Sequence, residues 1–195
     1  MMVRRGWTWI LAVVGATASV LVVTLAFRVR DLTDEVRRLR FEQNLPQLGD
    51  LVPDARVSLL GADSVGLAHT AAARQLWFVF DTICPICAAN LPHWNAVAER
   101  LRADSTVRVL GISLDSAAVT QSYIREHQVV FPVALLDQAR AAGYYRIRGI
   151  PMTIVVDQAA RIRLVRPGKF TAASGDSLLA FLAADSAASE VIAGR

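Results

Sequence analysis

Cys84 and Cys87 are the only cysteines in the 195 residues, and they stand three positions apart. On one turn of helix that spacing puts both side chains on the same face, with Cβ atoms about 5 to 6 Å apart. A small local adjustment from there closes a disulfide. The pair can therefore alternate between dithiol and disulfide. Other uses of two cysteines fit less well. Zinc wants four ligands, or three and a water, so His69, His93 or His127 would have to help. His93, six residues past Cys87 on the same predicted helix, points to a different face. Cu(I) suits soft thiolates and is the open alternative. A purely structural crosslink is disfavoured, because so small a loop removes little chain entropy. The redox reading is preferred, and no metal or other cofactor is expected.

The chemistry depends on the elements that hold the pair. Gln75 to Phe80 is a short apolar run of the kind found in a buried strand. Pro85 to Leu101 has helical spacing, and Pro85 occupies the first helical position, where a missing N–H costs nothing. Cys84 then lies at the helix N-terminus, where unpaired N–H groups and the helix dipole favour thiolate over thiol. It is expected to be the attacking nucleophile. Cys87, one turn inside and more shielded, is expected to resolve the mixed disulfide.

Around this unit the pattern alternates. Arg56 to Leu60 and Ser64 to Leu67 read as a hairpin about Gly61-Ala62-Asp63. Val107 to Leu114 reads as a strand, followed by a helix from Ser116, as N-cap, to Gln128. Phe131 to Leu136 and Met152 to Val156 read as strands, the second turning at Asp157-Gln158-Ala159 into Arg161 to Val165. A last helix is expected from Ser177 to about Ala188, led in by Gly175-Asp176. This order describes an α/β fold with a mixed sheet flanked by helices and preceded by a β-hairpin.

The N-terminus is different in kind. Hydrophobic residues make up 54% of the chain, and the mean hydropathy is +0.38. Much of that excess lies in the 22 uncharged residues from Gly6 to Phe27. As a helix they span about 33 Å, enough for a hydrocarbon core of about 30 Å. Trp7 and Trp9 sit at one edge, as interfacial aromatics do. Arg4 and Arg5 precede the run as in a secretory signal, and Ala16-Thr17-Ala18 resembles a cleavage site. The hydrophobicity continues beyond it, so an uncleaved anchor is preferred to a cleaved leader. The expected organisation is a short tail over 1–6, a transmembrane anchor over 7–27, a charged helical stalk over 28–45 and one domain over 46–195. In the stalk Val29, Leu32, Val36 and Leu39 form a two-heptad a/d seam. It is the length of a weak dimer contact within residues 29–39, or of a stripe leaning on the domain.

The formal charge is +4, from 21 Lys+Arg and 17 Asp+Glu. Setting aside Arg4 and Arg5 leaves +2, too little for a nucleic-acid footprint. No nucleic-acid partner is expected. By the positive-inside count, Arg28, Arg30, Arg37, Arg38 and Arg40 outweigh Arg4 and Arg5, which argues for a cytoplasmic domain. Large domains translocate largely regardless of that count.

The segment Trp77-Phe78-Val79-Phe80-Asp81-Thr82-Ile83-Cys84-Pro85-Ile86-Cys87 resembles the active-site strand and helix of the thioredoxin superfamily. Pro92, five residues after Cys87, matches that family's helix-kinking proline. Tyr145-Arg146-Ile147-Arg148-Gly149-Ile150-Pro151 is similar to the thioredoxin segment that ends in a cis-proline. The resemblance runs from about Pro46 to the C-terminus. The whole is most like the membrane-anchored extracytoplasmic thioredoxin-like reductases, which border on the redoxin (alkyl hydroperoxide reductase/thiol-specific antioxidant) group.

That resemblance implies a thioredoxin-like fold and thiol–disulfide exchange with protein thiols and disulfides. It also implies an upstream reductant, membrane-bound or soluble. The domain would lie on the periplasmic side of a cell membrane spanned once. Cys84, Cys87 and Pro151 would be catalytic, with a cis Ile150–Pro151 bond. Ile150, Pro85 and Ile86 would meet the substrate, the backbone of Ile150 by strand addition. Two departures bear on proton transfer. Phe78 stands where thioredoxin has a buried acid, and Asn90 stands where anchored relatives often carry Glu. Asp81 is the remaining candidate base, against a capping role. Pro85-Ile86 between the cysteines carries no charge, which argues against a strong oxidant. A redoxin-type peroxidase would use a Thr and an Arg around its cysteine. Thr82 is in place for that, but no Arg can be assigned.

Overall fold

The computed structural model describes the backbone over residues 3–43, 45–68 and 72–193. Side chains are described within these ranges except at 3–14, 16, 37–43 and 185–193. His69 thus lies outside the described residues, as do the side chains of Trp7, Trp9 and Leu39. The chain divides into two compact units, Met1–Asn44 and Leu45–Arg195.

The first unit is one helix, α1 (Val3–Gln43), which runs from the apolar stretch into the charged one without a break. The seam residues Val29, Leu32 and Val36 are all exposed on it. Among the described residues no helix is long and apolar enough to cross a membrane. The expected span over 7–27 begins on residues whose side chains are not described. Its continuous described part, 17–27, is shorter than the about 20 residues a crossing needs.

The second unit has the order β1 (Arg56–Leu59), β2 (Val65–Gly66), β3 (Arg74–Phe80), α2 (Pro85–Leu101), β4 (Val107–Ser113), α3 (Ala117–Glu126), β5 (Val133–Leu135), α4 (Gln138–Tyr144), β6 (Met152–Asp157), β7 (Ile162–Pro167) and α5 (Ala172–Ala193). Its sheet is ordered β2-β1-β5-β4-β3-β6-β7. The contacts of β4 with β3 and β5 are parallel, and the other pairings are antiparallel. The expected mixed sheet, flanking helices and N-terminal hairpin are all present.

β3 lies inside the sheet with all seven residues buried, which is why Leu76 to Phe80 reads as one apolar run. Successive side chains of a strand point to opposite faces. Leu76, Phe78 and Phe80 therefore join the layer of Cys87, Leu91 and Trp94 from α2. Trp77 and Val79 join the opposite layer with Val57, Val65, Ile112 and Ile154. The strand that delivers the cysteines is thus clamped from both sides.

Ser116 occupies the N-cap position of α3 as expected, its backbone carbonyl accepting the Thr120 N–H while its side chain makes no capping bond. The structure corrects two expectations. Residues after Leu136 form α4, absent from the sequence reading, capped by Asp137, whose Oδ1 accepts the Arg140 N–H at 2.9 Å. The last helix begins at Ala172 rather than Ser177, with Thr171 Oγ1 accepting the Ser174 N–H at 3.3 Å. Gly175 is therefore inside α5, not before it. A Cβ there would meet Val97 Cγ2 at 3.1 Å, so this glycine serves close approach of α5 to α2.

Candidate active site

After Phe80 the chain makes a tight turn secured by two carboxylates. Asp81 Oδ1 accepts the Ile83 N–H at 2.8 Å. Asp115 Oδ2 accepts both the N–H and the hydroxyl of Thr82, each at 2.7 Å. The Cys84 N–H also reaches the Asp81 carbonyl, at 3.5 Å. Cys84 is consequently held in extended conformation as the N-cap of α2, with Pro85 in the first turn. Its Sγ accepts the Cys87 N–H at 3.3 Å. One of the orphan donors of the helix start is thereby aimed at sulfur.

The two thiols are free and unequal. Cys84 is half-buried, whereas Cys87 has no exposed surface. Burial pushes the Cys87 thiol far up, and its hydrogen bond with Cys84 adds to this. A backbone hydrogen bond from Asp81 acts in the opposite direction. Ile83 and Ile86, 86% and 48% exposed, flank Cys84 and form an apolar collar. A contact role for Ile86 is expected from the resemblance, and none for Ile83. Isolated apolar residues in a turn give no sign of which way they face.

Pro151 comes to the same place through the sheet. In the antiparallel β3–β6 register Met152 pairs with Val79, so Pro151 lies one step further, opposite the end of β3. Its bond with Ile150 is cis, as the resemblance implies, and its carbonyl accepts the Gly168 N–H at 2.8 Å. Ile150 packs against both apolar layers. Beside it runs a groove of about 350 Å³ lined by Asp81, Leu114, Gln138, Ile147, Arg148 and Ile150, among others. Cys84, Cys87, Pro85, Ile86, Ile150 and Pro151 are therefore brought to one end of the sheet.

Other candidates are placed elsewhere. Asn90 is buried and uses both ends of its amide on backbone: Nδ2 donates to Gly168 O at 3.1 Å, and Oδ1 accepts the Phe170 N–H at 2.8 Å. It ties α2 to the segment between β7 and α5. Trp94 is core, stacked on Phe78 with ring centroids 5.0 Å apart. His93 lines a cleft against α5, and His127 packs on Tyr123 at the end of α3. Among the described residues no group of three or more His, Cys, Asp or Glu side chains could hold a metal ion. Tyr123 stacks on Phe80 at 5.7 Å. Burial and then the negative charge of Cys87 and Cys84 push its hydroxyl up to about 12. Asp115 was missed entirely, since its partner Thr82 is 33 residues away.

The AhpC/TSA family model matches residues 48–165, a segment containing both cysteines and Pro151. No curated protein sequence matches the chain. Several solved structures share its fold. The thioredoxin domain of a thiol-disulfide oxidoreductase from Bacteroides vulgatus is 19% identical, with TM-score 0.60, covering 69% of this chain and 97% of that one. A DsbF homologue from Corynebacterium diphtheriae is 22% identical, with TM-score 0.58 over 70% and 87% of the two chains. StoA from Bacillus subtilis is 17% identical, with TM-score 0.55 over 63% and 92%. At such identities the likeness is one of fold, and the fold is thioredoxin-like.

Proposed function

From a chain that belongs to the AhpC/TSA family, with one accessible and one buried thiol on a single helical turn, we propose a thiol–disulfide oxidoreductase acting on protein disulfides. The observation that carries this reading is the asymmetry of the pair. The Cys84 sulfur is reachable and accepts a helix-start N–H, while Cys87 is sealed behind it. The Cys84 thiolate attacks a partner disulfide and forms a mixed disulfide, and one partner sulfur leaves. Cys87 then attacks Cys84 Sγ, the second partner sulfur leaves, and the Cys84–Cys87 disulfide remains. Two electrons pass to the partner, and a dithiol reductant must restore the pair. Ile83, Ile86 and Ile150 give the incoming segment an apolar surface, and the Ile150 backbone offers it strand-like pairing.

A peroxidase is the rival within the same family. Thr82, the residue it would employ, spends its hydroxyl on Asp115. The two activities separate in one assay. With dithiothreitol as reductant, the protein is expected to accelerate the reduction of insulin disulfides, while hydrogen peroxide is consumed no faster than by dithiothreitol alone. Peroxide turnover without insulin reduction would reverse the assignment.

We further propose that residues 7–27 anchor the chain in a membrane with the domain on the periplasmic side. The 22 uncharged residues from Gly6 to Phe27 support this, as do just two cysteines, with none left over to mispair in an oxidising compartment. Alkaline phosphatase fused to the C-terminus should be active and should sediment with membranes. An inactive fusion, beside a fluorescent cytoplasmic reporter at the same position, would place the domain inside.

A further inference from the structure

Resolution of the mixed disulfide requires the Cys87 thiol to lose its proton, and burial makes that loss unfavourable. Something must accept it. Phe78 and Asn90 offer nothing: one is a hydrocarbon in the core, and the other has both amide ends committed to backbone. Asp81 is placed differently. It is only 7% exposed, it follows directly on β3, and its backbone bonds to Cys84. Its Oδ1 is engaged by the Ile83 N–H, whereas Oδ2 has no protein partner among the described residues. The residue also lines the groove beside Ile150, a space of about 350 Å³ that is roomy and polar enough for water. Among the described residues, Asp81 is the one carboxylate whose charge acts on Cys87, pushing its thiol up. Among the described residues the other titratable or charged groups around Asp81 are Cys84 at the N-cap of α2, Tyr123 on α3, Arg148 in the groove lining and Asp115, which holds the neighbouring Thr82.

We propose that the Asp81 carboxylate accepts the proton of Cys87 as Cys87 attacks the mixed disulfide on Cys84. The Cys87 S–H bond breaks and its proton passes to Asp81. The new thiolate forms the S–S bond to Cys84 Sγ, and the Cys84–partner bond breaks. The partner leaves as a thiolate, to which the proton on Asp81 is returned through solvent in the groove that Asp81 lines. No electrons are exchanged beyond the two that reduce the partner. This inference rests on the disulfide-exchange reading above and names the proton path within it.

Asp81→Asn tests it with little disturbance of the turn, because the amide oxygen still accepts the Ile83 N–H while the ionisable group is gone. The full-length protein, reduced, is mixed with insulin, quenched with acid at intervals and run on non-reducing gels. Asp81→Asn is expected to accumulate the Cys84–insulin adduct with Cys87 still present, resolving it about 100-fold more slowly near neutral pH. The gap should narrow at alkaline pH, where ionisation of Cys87 depends less on a neighbouring base. Asp81→Glu, which keeps a carboxylate, should resolve the adduct faster than Asp81→Asn. A carboxylate acting only by its charge predicts the reverse, because removing a nearby negative charge eases ionisation of Cys87. Resolution unchanged or faster in Asp81→Asn, or equal in the Asn and Glu variants, overturns the proposal. In the same experiment Cys87→Ser serves as the control. If it traps no insulin, the exchange reading itself fails, whatever Asp81 does.

Discussion

Cys87→Ser should leave the protein covalently joined to its partner through Cys84, and Cys84→Ser should not. The first substitution removes the group that would release the partner, so the reaction halts at the mixed disulfide. The second leaves only Cys87, which has no exposed surface and whose thiol is pushed up by burial and by its contact with Cys84. At neutral pH it stays protonated and enclosed, and a protonated thiol is neither an effective nucleophile nor, here, a reachable one. Adducts recovered from whole-cell extract under non-reducing conditions and released by dithiothreitol should exceed those of Cys84→Ser by at least about tenfold. A peroxidase would instead accumulate sulfenic acid on Cys84 after peroxide, with few protein adducts. A Cu(I) carrier would lose its metal in both variants and trap nothing. Equal trapping by the two variants would show that burial does not set the roles of the sulfurs.

Phe78→Ala should destabilise the domain by about 4 kcal/mol, the scale of deleting a buried aromatic from a packed layer. Phe78 has no exposed surface. It stacks on Trp94 at 5.0 Å and meets Phe131 at 5.2 Å and Phe170 at 6.2 Å. One side chain thus joins β3, α2, the approach to β5 and the lead-in to α5. For a domain of this size the thermal midpoint should fall by about 10 °C, and the urea midpoint should fall with little change in slope. Phe78→Leu, which keeps most of the volume, should cost much less. Equal losses in the Ala and Leu variants would mean that the aromatic layer is not what holds α2 against the sheet. A carboxylate at this position would be desolvated among Trp94, Phe131 and Phe170.

Much of the redox unit was legible in the sequence because its determinants are local. Pro85 at the first turn and the periodicity to Leu101 give α2 the bounds it has. The apolar run ending at Phe80 gives the strand before it, and turn residues between two short alternating runs give the hairpin. Alternation of strand and helix signals led to a mixed sheet. Where a signal was short or ambiguous, the reading went astray. Seven residues carry too little periodicity to reveal α4. A glycine used for close approach to Val97 looked like a break before α5.

The sequence by itself determined that two cysteines lie on one face at the start of a helix, because i, i+3 spacing, a leading strand and a first-turn proline are local facts. It also determined that a 22-residue uncharged run precedes the domain. Only the tertiary structure decided which sulfur is sealed, since burial of Cys87 depends on the layer formed by β3, α2 and α5. Only it set Pro151 opposite the end of β3, through the register that pairs Val79 with Met152. It alone gave Thr82 its anchor at Asp115 and Asn90 its two backbone partners, contacts that span 33 and about 80 residues. It also left one oxygen of Asp81 without a protein partner among the described residues, beside the groove. Such pairings follow from how strands are ordered and helices laid across them, and no local pattern of residues records that order.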